Sequence, residues 1–363
     1  MPIMDHHARA DATQRSTLRR APRTAQRTAP LTVRTLALVT SIGVALVGSP
    51  AGAQVAGVTG TIVVTNKTPF TATIIDVASG KALATLPTGR GPHEVALSSD
   101  GRTAVVTDYG SGASPSLTVI DLPGLRVART IPLDSYRAPH GIVYLPGDSL
   151  VAVTSEASNN LVIVHVASGA IRKAIGTGSP GSHMVGATAN GAVGYTGNMR
   201  ANSVSQLDLA KGTLLKGFPV PETPEAINVT PDGKEVWVGS NATGRVSVLD
   251  PATGTVTTAA EGVTWPYRVL FSPDVATVMI PDMTKNELRF LDRATRRELS
   301  RLSFPEAGPQ GITITPDGRF IFLSLSKQAR VVVIDARARK ILGYIPSGET
   351  PDGVVYTTRT FNR

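Results

Sequence analysis

His93, His140 and His183 head three short apolar stretches, "GPHEVAL", "APHGIVYL" and "GSHMVGA". Imidazole changes charge near neutral pH and is the commonest nitrogen ligand to metals, so a recurring histidine is a candidate for both acid–base and metal chemistry. Aligning the chain with itself places Glu225, Tyr267, Gln310 and Asp352 at the same position, with spacings of 47, 43, 42, 42, 43 and 42 residues from His93 onward. Of the four histidines beyond residue 53, three occupy this register. Three imidazoles flanked by Glu225 and Asp352 would supply neutral nitrogen donors and balancing charge for a divalent transition metal such as Zn, Mn, Fe, Ni or Cu. The competing reading is architectural: a histidine at a loop-to-strand junction can bond neighbouring carbonyls and be copied with the repeat. Ligands about 40 residues apart meet only if the repeats close on themselves.

The elements around the anchors say that they do. Each anchor opens an apolar run of strand character ("VALS", "IVYL", "INVT", "VLFS", "ITIT"), followed by a turn cluster such as "SSDG", "PGDS", "TANG", "SPDV" or "TPDG". Those Gly, Asp, Asn and Pro residues supply the dihedrals of a tight hairpin. A second strand follows ("TAVVTD", "EVWVGS", "FIFLSL"), then a third ("SLTVID", "RVSVLD", "VVVIDA") and a fourth ("KALATLP", "KILGYIP"). Four short strands at a period near 43 residues describe the blade of a β-propeller. The fold class is all-β, a seven-bladed β-propeller of four-stranded antiparallel blades. The repeats begin on a second strand, "GTIVVTN", and end on a first strand, "PDGVVYTTR". The first blade should therefore be closed by both termini, which removes the exposed edges an open circle would leave.

A second column supports the register. The third strand ends in Asp76, Asp121, His165, Asp208, Asp250, Asp292 and Asp335. Aspartate there can accept bonds from the amides of the turn that follows. His165 stands in for such an Asp and is read as structural.

The first 53 residues have a different composition. A region rich in Arg, Thr and Ala precedes the apolar run "LALVTSIGVALVG" and the small-residue stretch "SPAGAQ". That order is the mark of a secretory signal with cleavage after Ala53, and the apolar run is too short to span a bilayer comfortably. The expected layout is a leader over 1–53, a lead-in over 54–59, the propeller over 60–358 and a tail over 359–363, in a periplasmic or secreted protein with no membrane span after cleavage. The leader carries seven Arg against two Asp; without it 29 basic and 25 acidic residues remain, a net of +4 in place of the whole chain's +9. Those basic residues are scattered, which argues against nucleic acid as the main partner. Cysteine is absent, so thiol chemistry is excluded.

The second strands read "VVTN" at 63–66 and "VVTD" at 105–108, and "PDGKEVWVGSN" and "TPDGRFIFLS" extend the pattern. On these residues the chain resembles the YVTN-type, YncE-like β-propeller repeat family from about residue 60 to 357. The other blades drift from the motif ("AVTS", "GYTG", "MIPD", "FLSL") while keeping strand and turn character. The resemblance implies a seven-bladed and usually exported propeller; it does not fix a function.

In a propeller the loops entering the inner strands gather at one mouth of the channel, so the anchors should form a ring running Asp352, His93, His140, His183, Glu225, Tyr267, Gln310. His93, His140, His183, Glu225 and Asp352 are the candidate metal ligands. Tyr267, Gln310, Arg268, Trp265, Tyr136 and Arg137 are candidate ligand contacts, and Asp108, Tyr109, Asn198, Arg200 and Asp282 lie on loops of the same face. The first functional expectation is a binding or scaffold protein, a monomer holding a small molecule or protein at the mouth. The alternatives are a metal-dependent hydrolase or lyase, similar in architecture to lactonases and streptogramin lyases, and a tetrapyrrole-binding propeller. In the enzyme reading Glu225 or Asp352 would act as base. "HEVAL" lacks the second histidine of a metalloprotease helix, and "GTGSPG" at 176–181 precedes no helix, so neither carries its usual chemistry.

Overall fold

The computed structural model describes residues 57–110 and 115–362. The expected leader and its cleavage site at Ala53 fall outside these residues. Among the described residues the chain forms strands and turns only, and no helix is long and apolar enough to cross a membrane. Seven four-stranded antiparallel sheets follow one another, each pairing its strands in the order inner to outer. Blade two is representative, with Pro92–Leu97 innermost, then Thr103–Asp108, Ser116–Asp121 and Arg126–Pro132 at the rim. In blade one, Pro351–Thr357 pairs antiparallel with Thr61–Asn66, followed by Thr71–Asp76 and Lys81–Pro87.

The inner and middle strands are buried on both faces, because each blade is sandwiched between two others. Their sequences therefore run nearly continuously apolar rather than alternating. Seven apolar clusters among the described residues fill the seven blade interfaces. Ile62, Ile75, Phe322 and Val333 pack blade one on blade seven, while Val105, Leu117, Val153 and Val162 pack blade two on blade three. Burying a side chain of this size contributes on the order of 1.5–3 kcal/mol. Val354 joins the blade-seven interface from the C-terminal strand, and Tyr356 stacks on Phe322 at 5.3 Å.

The turn chemistry follows the sequence. The Asp column accepts turn amides, as in Lys211 N–H to Asp208 at 2.7 Å and Thr295 N–H to Asp292 at 2.7 Å. His165 does the same with its ring: Nδ1 lies 2.7 Å from the Ser168 hydroxyl and 3.3 Å from its amide.

Blade six departs from the expected pattern. Its inner strand is reduced to Leu270–Phe271, with an isolated bridge between Pro266 and Asp282. Pro266 stands opposite Asp282, with Pro281 next to it in the second strand, and proline has no amide to donate to a ladder.

Deleting residues 350–363 would strip the innermost strand from blade one and expose the edge of Thr61–Asn66. The truncated chain should lose its cooperative melt or aggregate; an unchanged thermal transition would show that the closing strand contributes nothing.

Candidate functional site

Each anchor sits where its inner strand leaves regular pairing. Register shifts fall between Pro92 and Val95, Pro139 and Ile142, Ser182 and Val185, Pro224 and Ala226, and Pro309 and Ile312. Such bulges re-aim a side chain and leave backbone groups to be satisfied otherwise. The threonine of the second strand does this in blades two and three. Glu94 N–H donates to Thr107 Oγ1 at 3.0 Å, and the Thr107 hydroxyl donates onward to the carbonyl of His140 in the next blade at 2.8 Å. Thr154 repeats the relay between Gly141 N–H, at 2.8 Å, and the His183 carbonyl, at 2.6 Å. Thr65 of blade one reaches the His93 carbonyl at 2.8 Å. The three histidines thus follow the three blades whose threonines grip the neighbouring inner strand.

The last residue of the second strand clasps the loop that delivers the anchor. Gly348 N–H donates to Asn66 at 3.0 Å, and Thr264 and Trp265 N–H donate to Asp282 at 2.7 and 3.0 Å. Asp108 accepts from Ser116 and Thr118 at 2.7 and 2.8 Å; burial pushes its carboxyl up to about 6 despite these bonds. Asn66, Asp108 and Asp282 are therefore buried loop clasps, whereas Asn198 is buried and bonded to Ser182 and Ser205 within its own blade.

The relay explains the threonine and the clasp explains the Asn or Asp of the "VTN" and "VTD" motifs. Residues 143–257 match the model of the YNCE-like beta-propeller family. The resemblance read from the motifs is borne out by that match. Among the solved structures similar to this chain, two align at 15% identity, which shows the fold alone. A hydrazine synthase of Kuenenia stuttgartiensis aligns with a TM-score of 0.63 over 71% of this chain and 87% of that one. A functionally unknown protein of Desulfotomaculum acetoxidans aligns with a TM-score of 0.66 over 83% of this chain and 100% of that one. The search of curated proteins found no significant match.

The propeller divides its ring into two arcs. On blades two to four the imidazoles pack ring against ring at a tilt: centroids are 4.8 Å apart with 59° between the planes for His93 and His140, and 3.7 Å apart with 31° for His140 and His183. Tyr109 closes the stack at 4.8 Å from His93. His93 Nδ1–H donates to the Gly91 carbonyl at 2.8 Å, and burial lowers its pKa. Burial, helped by the neighbouring imidazoles, holds His140 well below the usual range. Burial also opposes charge on His183, but Glu156 and Glu225 outweigh it and lift the ring to about 9. His183 Nδ1 lies 3.0 Å from Glu156 Oε2, and its Nε2 lies 3.8 Å from Glu225 Oε1, an ion-pair distance too long for a hydrogen bond.

On blades five, six, seven and one the ring presents oxygens. Tyr267 OH donates to Asp352 Oδ2 at 3.1 Å, and Lys67 Nζ lies 3.2 Å from the same oxygen. Burial opposes the Asp352 charge, yet Lys67 and Arg268 bring its pKa below the ordinary value. Gln310 reaches only a weak partner, Met283 Sδ at 3.2 Å.

Two groups of residues escaped the sequence reading. One is the lip formed by the residue just past each second strand, all seven half-buried: Lys67, Tyr109, Glu156, Met199, Asn241, Met283 and Ser326, of which only Tyr109 was singled out from the sequence. Five of these touch the ring, through Asp352, His93, His183, Glu225 and Gln310 respectively for Lys67, Tyr109, Glu156, Asn241 and Met283. The signal was present, since these positions recur with the same spacing, but their residue types share no chemistry. The other is Glu94, which pairs with Arg268 from blade two to blade six across the channel. Both are at least nine-tenths buried, and Arg268 also donates to the Tyr267 carbonyl at 2.5 Å.

Of the remaining candidates, Tyr136 packs against the core between blades two and three and Arg137 is exposed. Trp265 is half-buried on the loop clasped by Asp282. Among the described residues no group of three or more His, Asp or Glu has a metal-holding arrangement. A groove of about 460 Å³ lies at the other end of blades six and seven, over Met279 and Phe290. Its carboxylates are already engaged in turns, Asp274 with Ser272 and Asp317 with Thr315.

Two tests address this geometry. Thr107→Val leaves the Glu94 amide unpaired in a buried site and should cost about 1–3 kcal/mol in urea unfolding. The second test uses pH. With its folded pKa raised above the unfolded 6.5, His183 contributes stability that is full below pH 6.5 and lost as pH rises through about 9. His93 and His140, with lowered folded values, reduce stability as pH falls below 6.5. Urea melts across pH 5–10 should show both flanks, and His183→Gln should remove the alkaline one.

Proposed function

We propose that this chain is an exported binding protein that holds a small polar ligand in the ringed mouth of its channel. One observation carries the reading: buried polar atoms of the ring and lip lack hydrogen-bond partners among the described residues. They are His140 Nδ1, His183 Nε2, Gln310 Oε1, Asp352 Oδ1 and Asn241 Oδ1. Leaving a buried polar group unpaired costs about 1–3 kcal/mol, so five on one small surface are a poor arrangement for stability alone. They suit a site whose bonds are completed by a bound molecule. The Glu94–Arg268 pair crosses the channel and gives that molecule a floor.

A divalent metal is the second reading, favoured by the two unpartnered imidazole nitrogens. The His140 and His183 rings pack at an interplanar angle of 31°, and Glu156 and Glu225 hold His183 charged, with a proton on each nitrogen and no lone pair to offer. Metal binding on this arc would require His183 to give up a proton, and a lactonase- or lyase-like reaction through that metal would depend on the same loss.

His140→Leu separates a binding role from a structural one. If His140 serves a ligand, the variant should melt at the same temperature as the parent or up to a few degrees higher and lose thermal stabilisation by compounds that stabilise the parent. A structural histidine would instead show a large loss of stability with ligand responses intact. Elemental analysis of the purified chain, before and after zinc loading, decides the metal reading.

A further inference from the structure

We infer that the oxygen-lined arc of the mouth, from Glu225 round to Asp352, recognises a primary ammonium group on the ligand. The inference rests on the mouth being a binding site and specifies what it takes. Three of the atoms left without partners on this arc are acceptors only: Asp352 Oδ1, Gln310 Oε1 and Asn241 Oδ1. Asp352 is fully buried and Gln310 is 6% exposed, so bulk water does not reach these oxygens freely. An ammonium carries three N–H donors, which answer this deficit, and a positive charge that suits the Asp352 carboxylate.

The charges of ring, floor and lip balance: Glu94, Glu156, Glu225 and Asp352 stand with Lys67, His183, Arg268 and Arg200, the last with Nη2 3.4 Å from the Glu156 carbonyl. What the oxygen arc lacks is therefore donors. On the oxygen arc Lys67 and Tyr267 both bond Asp352 Oδ2, which leaves Oδ1 facing no donor. A second cation placed there would make a charge-assisted hydrogen bond in a buried setting. A carboxylate or phosphate ligand would meet acceptors with acceptors.

Cations differ in what they offer these oxygens. A quaternary ammonium has charge without N–H and is normally held by aromatic faces. The ring on this arc, Tyr267, already has Arg268 at 4.2 Å and Lys67 at 6.0 Å from its centroid. A hard divalent cation needs six or more oxygens. The matching group is an amine with its hydrogens free.

The experiment uses the full chain in thermal-shift and calorimetric titrations with four probes: propylammonium chloride, tetramethylammonium chloride, sodium propionate and zinc chloride. Propylammonium should bind and raise the melting temperature, while tetramethylammonium and propionate should not. Gln310→Leu and Asp352→Asn should each weaken propylammonium by about tenfold or more, the loss of one hydrogen bond to a charged group. Gln310→Leu keeps the test sound if Asp352→Asn fails to fold without its partner to Lys67. Equal binding of tetramethylammonium, or propylammonium binding unaffected by Gln310→Leu, overturns the inference. Propionate or zinc binding that depends on His140, without amine binding, overturns it and leaves the mouth standing as a site. Silence from all four probes removes both.

Discussion

A single hydroxyl group, that of the threonine in the second strand, governs how the inner walls of blades one to three are placed. In blades two and three it satisfies a backbone amide stranded by a bulge and grips the carbonyl of the histidine in the next blade; in blade one Thr65 makes only the second kind of contact, to His93. A valine of the same shape would fill the space and make neither bond. Where the threonine is replaced, the bond is lost: blade four has Gly197 at this position, and in blade six Pro281 accompanies the shortened inner strand. Because the relay runs from each blade to the next, the histidines are placed relative to one another and not merely within their own repeats.

The polar mouth is affordable because the stability of the ring lies elsewhere. The blade interfaces hold apolar clusters built largely from middle strands with almost no exposure, and no anchor side chain belongs to them. The inner strands need only reach the axis, and there they carry groups whose burial is unfavourable. His140 stays neutral at the centre of the stack while His183 is charged at its edge, where two carboxylates face it. The gradient of charge along three identical side chains comes from the lip, since Glu156 stands beside one of them and Tyr109 beside another.

How much of this could be read from the residues depends on what repeats. The strand order, the turn Asp column with its His165 variant, and the anchor ring all recur with a fixed spacing, and circular closure turns equal spacing into shared position. The structure accordingly brings Asp352, Tyr267, His140, His183 and Glu225 into one connected mouth. Stacking of the imidazoles was not legible, because spacing fixes where a Cα lies and says nothing of how a ring is turned. Tyr136 and Arg137 were drawn in by lying on the correct loop, yet one faces the core and the other the solvent. Apart from Tyr109 the lip went unseen, since Lys67, Tyr109, Glu156, Met199, Asn241, Met283 and Ser326 have nothing in common but their place. Glu94 and Arg268 are each one step past an anchor, in positions that other blades give to Gly141, Gly311 and Gly353, so their meeting across the axis has no counterpart in the repeat.

That meeting has a mechanical consequence. A toroid of blades joined only to their neighbours can deform into an oval by small slips shared among its interfaces, and the opening at its centre would change width as it did so. A strut anchored on two far-apart walls resists such breathing along its own direction. The Glu94–Arg268 pair therefore acts as a gauge bar, holding the diameter of the opening constant while the rim strands remain free to move.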